Sequence, residues 1–232
     1  MHVELLKYPK KSHRKQIRIP QKSEKFAEFM GIVFGDGGIN NLWQLVISLN
    51  SEADAEYSKY VQSLIKGLFN LDIATRKRPN KNVLTLVCSS TNLVDFLIEN
   101  GAVRGNKIEQ CIDIPNWIYN NFKFERAFVR GLVDTDGCLY IHNHNVKGKF
   151  YKNIGFCFTS YSRKLAVSIG NILKKNGITP HITDDDRRIY LYSSKAVSDY
   201  LSIFGSSNPR ILDKYAEWRG ARVADRARLE SG

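Results

Sequence analysis

Apolar positions along this chain follow two periods, one of three to four residues and one of two, and the periods succeed each other in a fixed order. Phe26, Met30, Val33 and Phe34 form a helical stripe, with Ser23 placed to cap it and Glu24 in its first turn. Residues 38–49 then alternate and predict strand, ending in the apolar run around Val46, Ile47 and Ser48. Tyr60, Leu64 and Leu68 mark a second helix, capped by Ser51 or Asp54. Residues 73–87 read as a hairpin turning at Pro79 and Asn80. Residues 89–101, SSTNLVDFLIENG, open on two cap serines and close on the glycine that usually follows a helix.

The same order then returns. Phe124, Phe128, Leu132 and Val133 give a helix, and residues 139–159 give strands ending at Phe156, Cys157, Phe158 and Thr159. Ser162 caps a helix through Leu165, Ile169, Ile172 and Leu173. Residues 181–192 turn at 184–186, and residues 193–205, SSKAVSDYLSIFG, match the earlier serine-to-glycine helix. Each unit reads helix, two strands, helix, two strands, helix. The fold class expected is α+β: two repeats, each an antiparallel sheet with helices on one face. The boundaries read as a basic arm over residues 1–25, a first repeat over 26–112, a linker over 113–124, a second repeat over 125–212 and a polar, Arg-rich tail over 213–232, helical from Asp213.

The repeat is also literal. Residues 29–39, FMGIVFGDGGI, align without a gap on residues 129–139, VRGLVDTDGCL, so that Gly31, Val33, Asp36 and Gly37 match Gly131, Val133, Asp136 and Gly137. Gly31 and Gly35 lie four apart on one helix face, and Gly131 and Thr135 stand in the same places of the other copy. Small residues at that spacing let two helices pack backbone to backbone. If the copies pair along this face, Asp36 comes beside Asp136. A carboxylate is disfavoured at a helix C-terminus, and two carboxylates repel. A bound cation removes both penalties, and hard oxygen donors suit Mg²⁺. One Asp-Gly after a helix is ordinarily a cap and turn; two at the ends of matched helices point to metal-assisted phosphoryl chemistry.

Composition narrows the partner. Lys and Arg number 35 against 23 Asp and Glu, a net charge of +12, which attracts polyanions and above all nucleic acid. Charge alone does not separate this from a merely basic soluble protein. No apolar run is long enough for a bilayer, so no membrane partner is expected. Lys7, Lys10 and Lys11 interrupt any secretory signal, which places the chain in the cytoplasm or an organelle matrix. The initial Met, with no splice-junction residues, favours a free-standing protein over an intein fragment. Cys88, Cys111, Cys138 and Cys157 form no CxxC pair and are expected to be buried free thiols, not a zinc site.

FMGIVFGDG (29–37) and VRGLVDTDG (129–137) resemble the two LAGLIDADG motifs of homing endonucleases. The resemblance covers roughly residues 26–212. It implies a single-chain monomer of two pseudo-symmetric lobes that makes staggered double-strand breaks in a long DNA site, with intron or intein homing as its setting. The motif's metal-binding Asp maps onto Asp36 and Asp136, flanked by Gly35 and Thr135, with Mg²⁺ or another divalent ion such as Mn²⁺ or Ca²⁺ as cofactor. Its earlier acidic position is Phe34 in one copy and Asp134 in the other. The family's Lys after the last helix of each repeat maps onto Lys107, and more loosely onto Arg210. Its auxiliary Gln position holds Leu49 and Ser160, leaving Gln44 or Asn50 as substitutes.

The implied DNA-binding residues lie on the strands and hairpins. They are Asn40, Trp43, Gln44, Arg76, Arg78 and Lys81 in the first repeat, and Tyr140, His142, His144, Lys147, Lys149, Tyr151, Lys152, Arg187, Arg188, Tyr190 and Tyr192 in the second. His142 and His144 lack a third ligand and are read as DNA contact or plain surface. Residues 184–186, DDD, are read as a turn, and residues 35–38, GDGG, lack the Lys-Ser/Thr of a phosphate loop. The alternative reading is a non-cleaving relative of the same fold, an RNA maturase or DNA-binding regulator. Loss of an acidic motif residue would favour it, and here both are present.

Overall fold

The computed structural model describes residues 15–230, apart from the side chains of residues 144, 146, 149, 150 and 222–230. Residues 1–14 of the basic arm, and the side chains of His144 and Lys149, lie outside the described residues. The first lobe runs α1 (Glu24–Phe34), β1 (Gly37–Asn41), β2 (Gln44–Asn50), α2 (Ala55–Phe69), β3 (Ala74–Lys77), β4 (Val83–Ser89) and α3 (Thr91–Glu99). The second runs α4 (Phe122–Asp136), β5 (Gly137–Val146), β6 (Lys149–Thr159), α5 (Arg163–Lys175), β7 (His181–Ile182), β8 (Arg188–Leu191) and α6 (Ser194–Ile203), followed by α7 (Pro209–Glu230). The sheets are β1-β2-β4-β3 and β5-β6-β8-β7, all antiparallel and of identical topology.

Three of the expected side-chain caps form, whereas Ser162 opens α5 without one and donates instead to the Ile112 carbonyl (2.6 Å). The hydroxyls of Ser23, Ser90 and Ser193 accept from the amides of Phe26, Leu93 and Ala196 at the starts of α1, α3 and α6. Of the two candidates for α2, Asp54 is the cap, and its carboxylate is spent elsewhere. The hairpins turn at Asn80 (φ 57°) and Asp186 (φ 54°), short polar residues that tolerate the left-handed region. Alternation sends Ile154, Phe156, Phe158, Ile189 and Leu191 inward, where α1, α4 and the lobe helices cover them in one continuous core.

Three features differ from the sequence reading. The C-terminal segment is no tail: α7 starts at Pro209, and its Trp218 is buried and donates its indole N–H to the Lys152 carbonyl on β6 (3.0 Å). The segment joining the lobes is packed, with the Trp117 ring stacked on Phe26 at 5.0 Å and Ile118 fully buried. Of the four thiols only Cys88 is buried. Cys138 and Cys157 face each other across β5 and β6 on the outward face, and Cys111 sits in an exposed turn with φ 46°.

Candidate active site

The site begins where α1 crosses α4. A Cβ on Gly31 would overlap the Phe128 carbonyl and lie 2.7 Å from the Leu132 nitrogen; one on Gly131 would overlap the Glu28 carbonyl. Only glycine permits this backbone approach, and it occurs twice, by pseudo-symmetry. The exits match as well. Gly37 and Gly137 leave their helices so tightly that a Cβ would lie 2.5 Å from the Val33 carbonyl oxygen and 2.6 Å from that of Val133. Gly35 packs directly on Thr135, and a Cβ there would come within 3.4 Å of the Asp136 carboxyl carbon. The two helix ends, and with them Asp36 and Asp136, are therefore side by side.

Asp136, Gly35 and Lys107 line a cleft of about 350 Å³ with Phe34, Ile108, Ile112, Thr159, Ser160, Tyr161 and Ser162. Burial raises Asp36 to a pKa of about 6; Asp54 adds to the rise, while Lys107 and Arg210 oppose it. Asp136 is raised to about 7 by burial and then by Asp36, again against Lys107. Lys107 is pulled down by burial, opposed by both aspartates. Its ammonium donates to the carbonyls of Phe34 (2.8 Å), Gly35 and Gly37 (2.8 Å), capping the C-terminus of α1, where a cation is favoured. Among the described residues no ion pair joins it to either carboxylate. The pair thus sets two hard oxygen donors side by side, their charge only partly offset by Lys107 and Arg210, a chemistry that fits a divalent cation.

Arg210 answers Lys107 on the other lobe, although it is held differently. Its guanidinium donates to Asp54 (3.0 Å) and, with the buried Asn208, to the last-turn carbonyl of Asp134 (3.4 and 2.9 Å). Asn208 also donates to Asp54 (2.8 Å). The Asp134 carboxylate accepts from Ser206 (2.5 Å) and the Ser207 amide (2.7 Å), yet burial lifts it to about 7. Glu28, buried in α1, takes Arg130 (2.6 Å), Tyr60 (2.8 Å) and Ser207 (2.6 Å). This interior polar network escaped the sequence reading. Asp54 registered only as a helix cap, and nothing local marks Asn208, whose partner is 154 residues away.

Residues 123–215 match the family model of the LAGLIDADG-like domain. Among solved structures, I-SmaMI, a LAGLIDADG homing endonuclease bound to cleaved DNA, superposes with a TM-score of 0.59 at 11% identity, over 91% of this chain and 92% of that one. I-DmoI in complex with DNA and Mn gives 0.52 at 18%, over 80% and 98%. Full-length DUF199/WhiA from Thermatoga maritima gives 0.54 at 16%, over 94% of this chain and 64% of its own length. This chain has the two-repeat LAGLIDADG fold. The fold is thus shared with homing endonucleases and with WhiA alike. No curated protein sequence matches the chain.

The two LAGLIDADG helices are α1 and α4, and the other sequence candidates distribute around them unevenly. The Thr135 hydroxyl turns back onto its own helix, donating to the Leu132 carbonyl (2.8 Å), and packs against Gly35. Asn50 is consumed in the turn after β2, accepting from Glu52 and Ala53, and Gln44 bonds Ser89 at the far end of that strand. Neither takes the auxiliary polar place; Ser160 lines the cleft. Asn40 and the hairpin cations Arg76, Arg78 and Lys81 are exposed, as are Trp43, next to the β1–β2 turn, and Lys147, in the β5–β6 turn. Tyr140, His142, Lys152, Arg187 and Tyr190 are half-buried, whereas Arg188 and Tyr192 are exposed. Among the described residues, no helix is long and apolar enough to cross a membrane, and no group of three or more His, Cys, Asp or Glu gathers to hold a metal.

Proposed function

We propose that this chain is a site-specific, metal-dependent DNA endonuclease that hydrolyses phosphodiesters on both strands of a long duplex target. One observation carries the reading: Asp36 and Asp136 stand at the abutting ends of two helices that touch only because Gly31 and Gly131 are glycine. A DNA-binding scaffold needs no such pair. Two adjacent carboxylates, Asp36 half-buried and Asp136 more open, that desolvation and each other's charge push toward neutrality are a liability unless a cation is held between them.

Asp36 and Asp136 would hold Mg²⁺, while the Gly35 carbonyl between them accepts from Lys107. When bound, the ion would stabilise charge on phosphate oxygens and acidify water. Lys107 fixes the end of α1 and brings positive charge to the cleft; Arg210 does the same for α4 while paired with Asp54. The net charge of +12 and the cations of both hairpins support duplex DNA as the partner, with the chain acting as a monomer.

The test is selection of cleavable duplexes from a randomised library with Mg²⁺ and with EDTA. Recovery of one long site only with Mg²⁺ is expected. Tight binding without cutting would replace this reading with the regulator or maturase.

A further inference from the structure

A side chain at a helix N-cap normally accepts from a first-turn amide. Ser23, Ser90, Asn121 and Ser193 do this for α1, α3, α4 and α6. Asp54 and Ser162, the N-caps of α2 and α5, do not. These two helices are counterparts in the duplicated lobes, so the same departure occurs twice by pseudo-symmetry. Both side chains reach into the other lobe instead. Asp54, from the first lobe, accepts at Oδ1 from Asn208 (2.8 Å) and from the Nε of Arg210 (3.0 Å), in the segment after α6. Its Oδ2 takes the Asn50 amide of its own turn (3.2 Å). Ser162, from the second lobe, donates to the Ile112 carbonyl (2.6 Å), in the segment after α3. The Ile112 amide in turn donates to the Lys107 carbonyl (3.4 Å). Each crossing ends on the segment that carries a basic residue of the cleft.

The two crossings differ in charge. Lys107 needs no acid, because its ammonium is held by carbonyls at the end of α1. Arg210 has a planar head on a long stem with many rotamers. Asp54 of the first lobe fixes its Nε, and the Asp134 carbonyl of the second receives its other nitrogen (3.4 Å). Both Asp54 and Asn208 are buried, so this is no solvated surface pair. Resting on the endonuclease reading, we infer that Asp54 is a positioning residue that, from the first lobe, holds Arg210 of the second in place for the cutting of one strand, while Ser162 does the same for the Lys107 segment and the other strand. A pseudo-two-fold that relates the lobes also relates the strands of a duplex bound between them, so each basic residue serves its own strand.

The test is single-turnover cleavage of the selected duplex, with the strands labelled separately and with enzyme and Mg²⁺ saturating. Wild type, Asp54→Ala, Asp54→Asn and Ser162→Ala are compared at a temperature where circular dichroism shows them folded. Asp54→Ala should slow one strand about tenfold or more and leave the other within about twofold, so that nicked duplex accumulates. Asp54→Asn keeps an oxygen for Arg210 and Asn208 and should recover most of that loss. Ser162→Ala, one hydrogen bond further from its basic residue, should slow the opposite strand about threefold. If Asp54→Ala does not fold, Ser162→Ala carries the strand comparison. A merely structural role would lower both strands together and leave their ratio unchanged. That result, both variants slowing the same strand, no change in either, or no recovery in Asp54→Asn would overturn the inference while leaving the endonuclease reading intact. A wild type that cuts neither strand would overturn both.

Discussion

Asp36 and Asp136 carry pKa values pushed up from 3.8 to about 6 and about 7, by burial first and by neighbouring carboxylates second. A carboxyl raised on folding binds more protons folded than unfolded. The stability these groups lend is therefore complete below about pH 4 and is lost as pH climbs through 6 and 7. Metal-free protein should melt higher at pH 5.5 than at pH 8, by on the order of 5 °C, and Asp136→Asn should flatten that difference. Mg²⁺ should raise the melting point more at pH 8, where no protons need displacing; calorimetry at the two pH values checks both. A pH response unchanged by the substitution would contradict the assignment. The buried Glu28 offers a separate check. Glu28→Ala strips Arg130 of its ion pair and should cost about 3 kcal/mol in urea unfolding. Asp36 and Asp136 were legible in the sequence because a duplicated motif marks them twice. Glu28, Asp54 and Asn208 were not, because their roles exist only once distant segments meet.

At the scale of elements, the α1–α4 crossing dictates everything else. Gly131→Ala drives a methyl into the Glu28 carbonyl, backbone that cannot yield cheaply, and should destabilise by about 2–3 kcal/mol, read from the urea midpoint. A neutral result would mean that the helices do not meet as described. Periodicity was enough to find the helices and strands, since each has a clear apolar face and most ends carry a cap or turn residue. It failed for the docking of α7, whose helicity was read from Asp213 onward: Ile211, Tyr215 and Trp218 pack onto the core from one face, a stripe too short to stand out in a polar, Arg-rich segment. It failed for the thiols too, because apolar neighbours in a strand alternate sides: Cys138 and Cys157 fall on the outward positions between buried Leu139, Phe156 and Phe158.

Across the whole molecule, two lobes of identical topology but different sequence flank one central pair of carboxylates. That suits a target whose halves differ in sequence and are cut between them. A chain of net charge +12 should also release counterions on binding, so affinity should fall by roughly 10³-fold or more between 50 and 200 mM salt; a flat response by fluorescence anisotropy would argue against a nucleic-acid partner. The most direct measurement compares the wild type, Asp36→Asn and Asp136→Asn on the selected duplex, scoring cleavage and affinity in the same samples with Mg²⁺. Both variants should lose double-strand cleavage by about a thousandfold or more while binding within a few-fold of the wild type. Cleavage that survives either substitution, or binding that collapses along with it, would contradict a metal-holding pair at the helix ends.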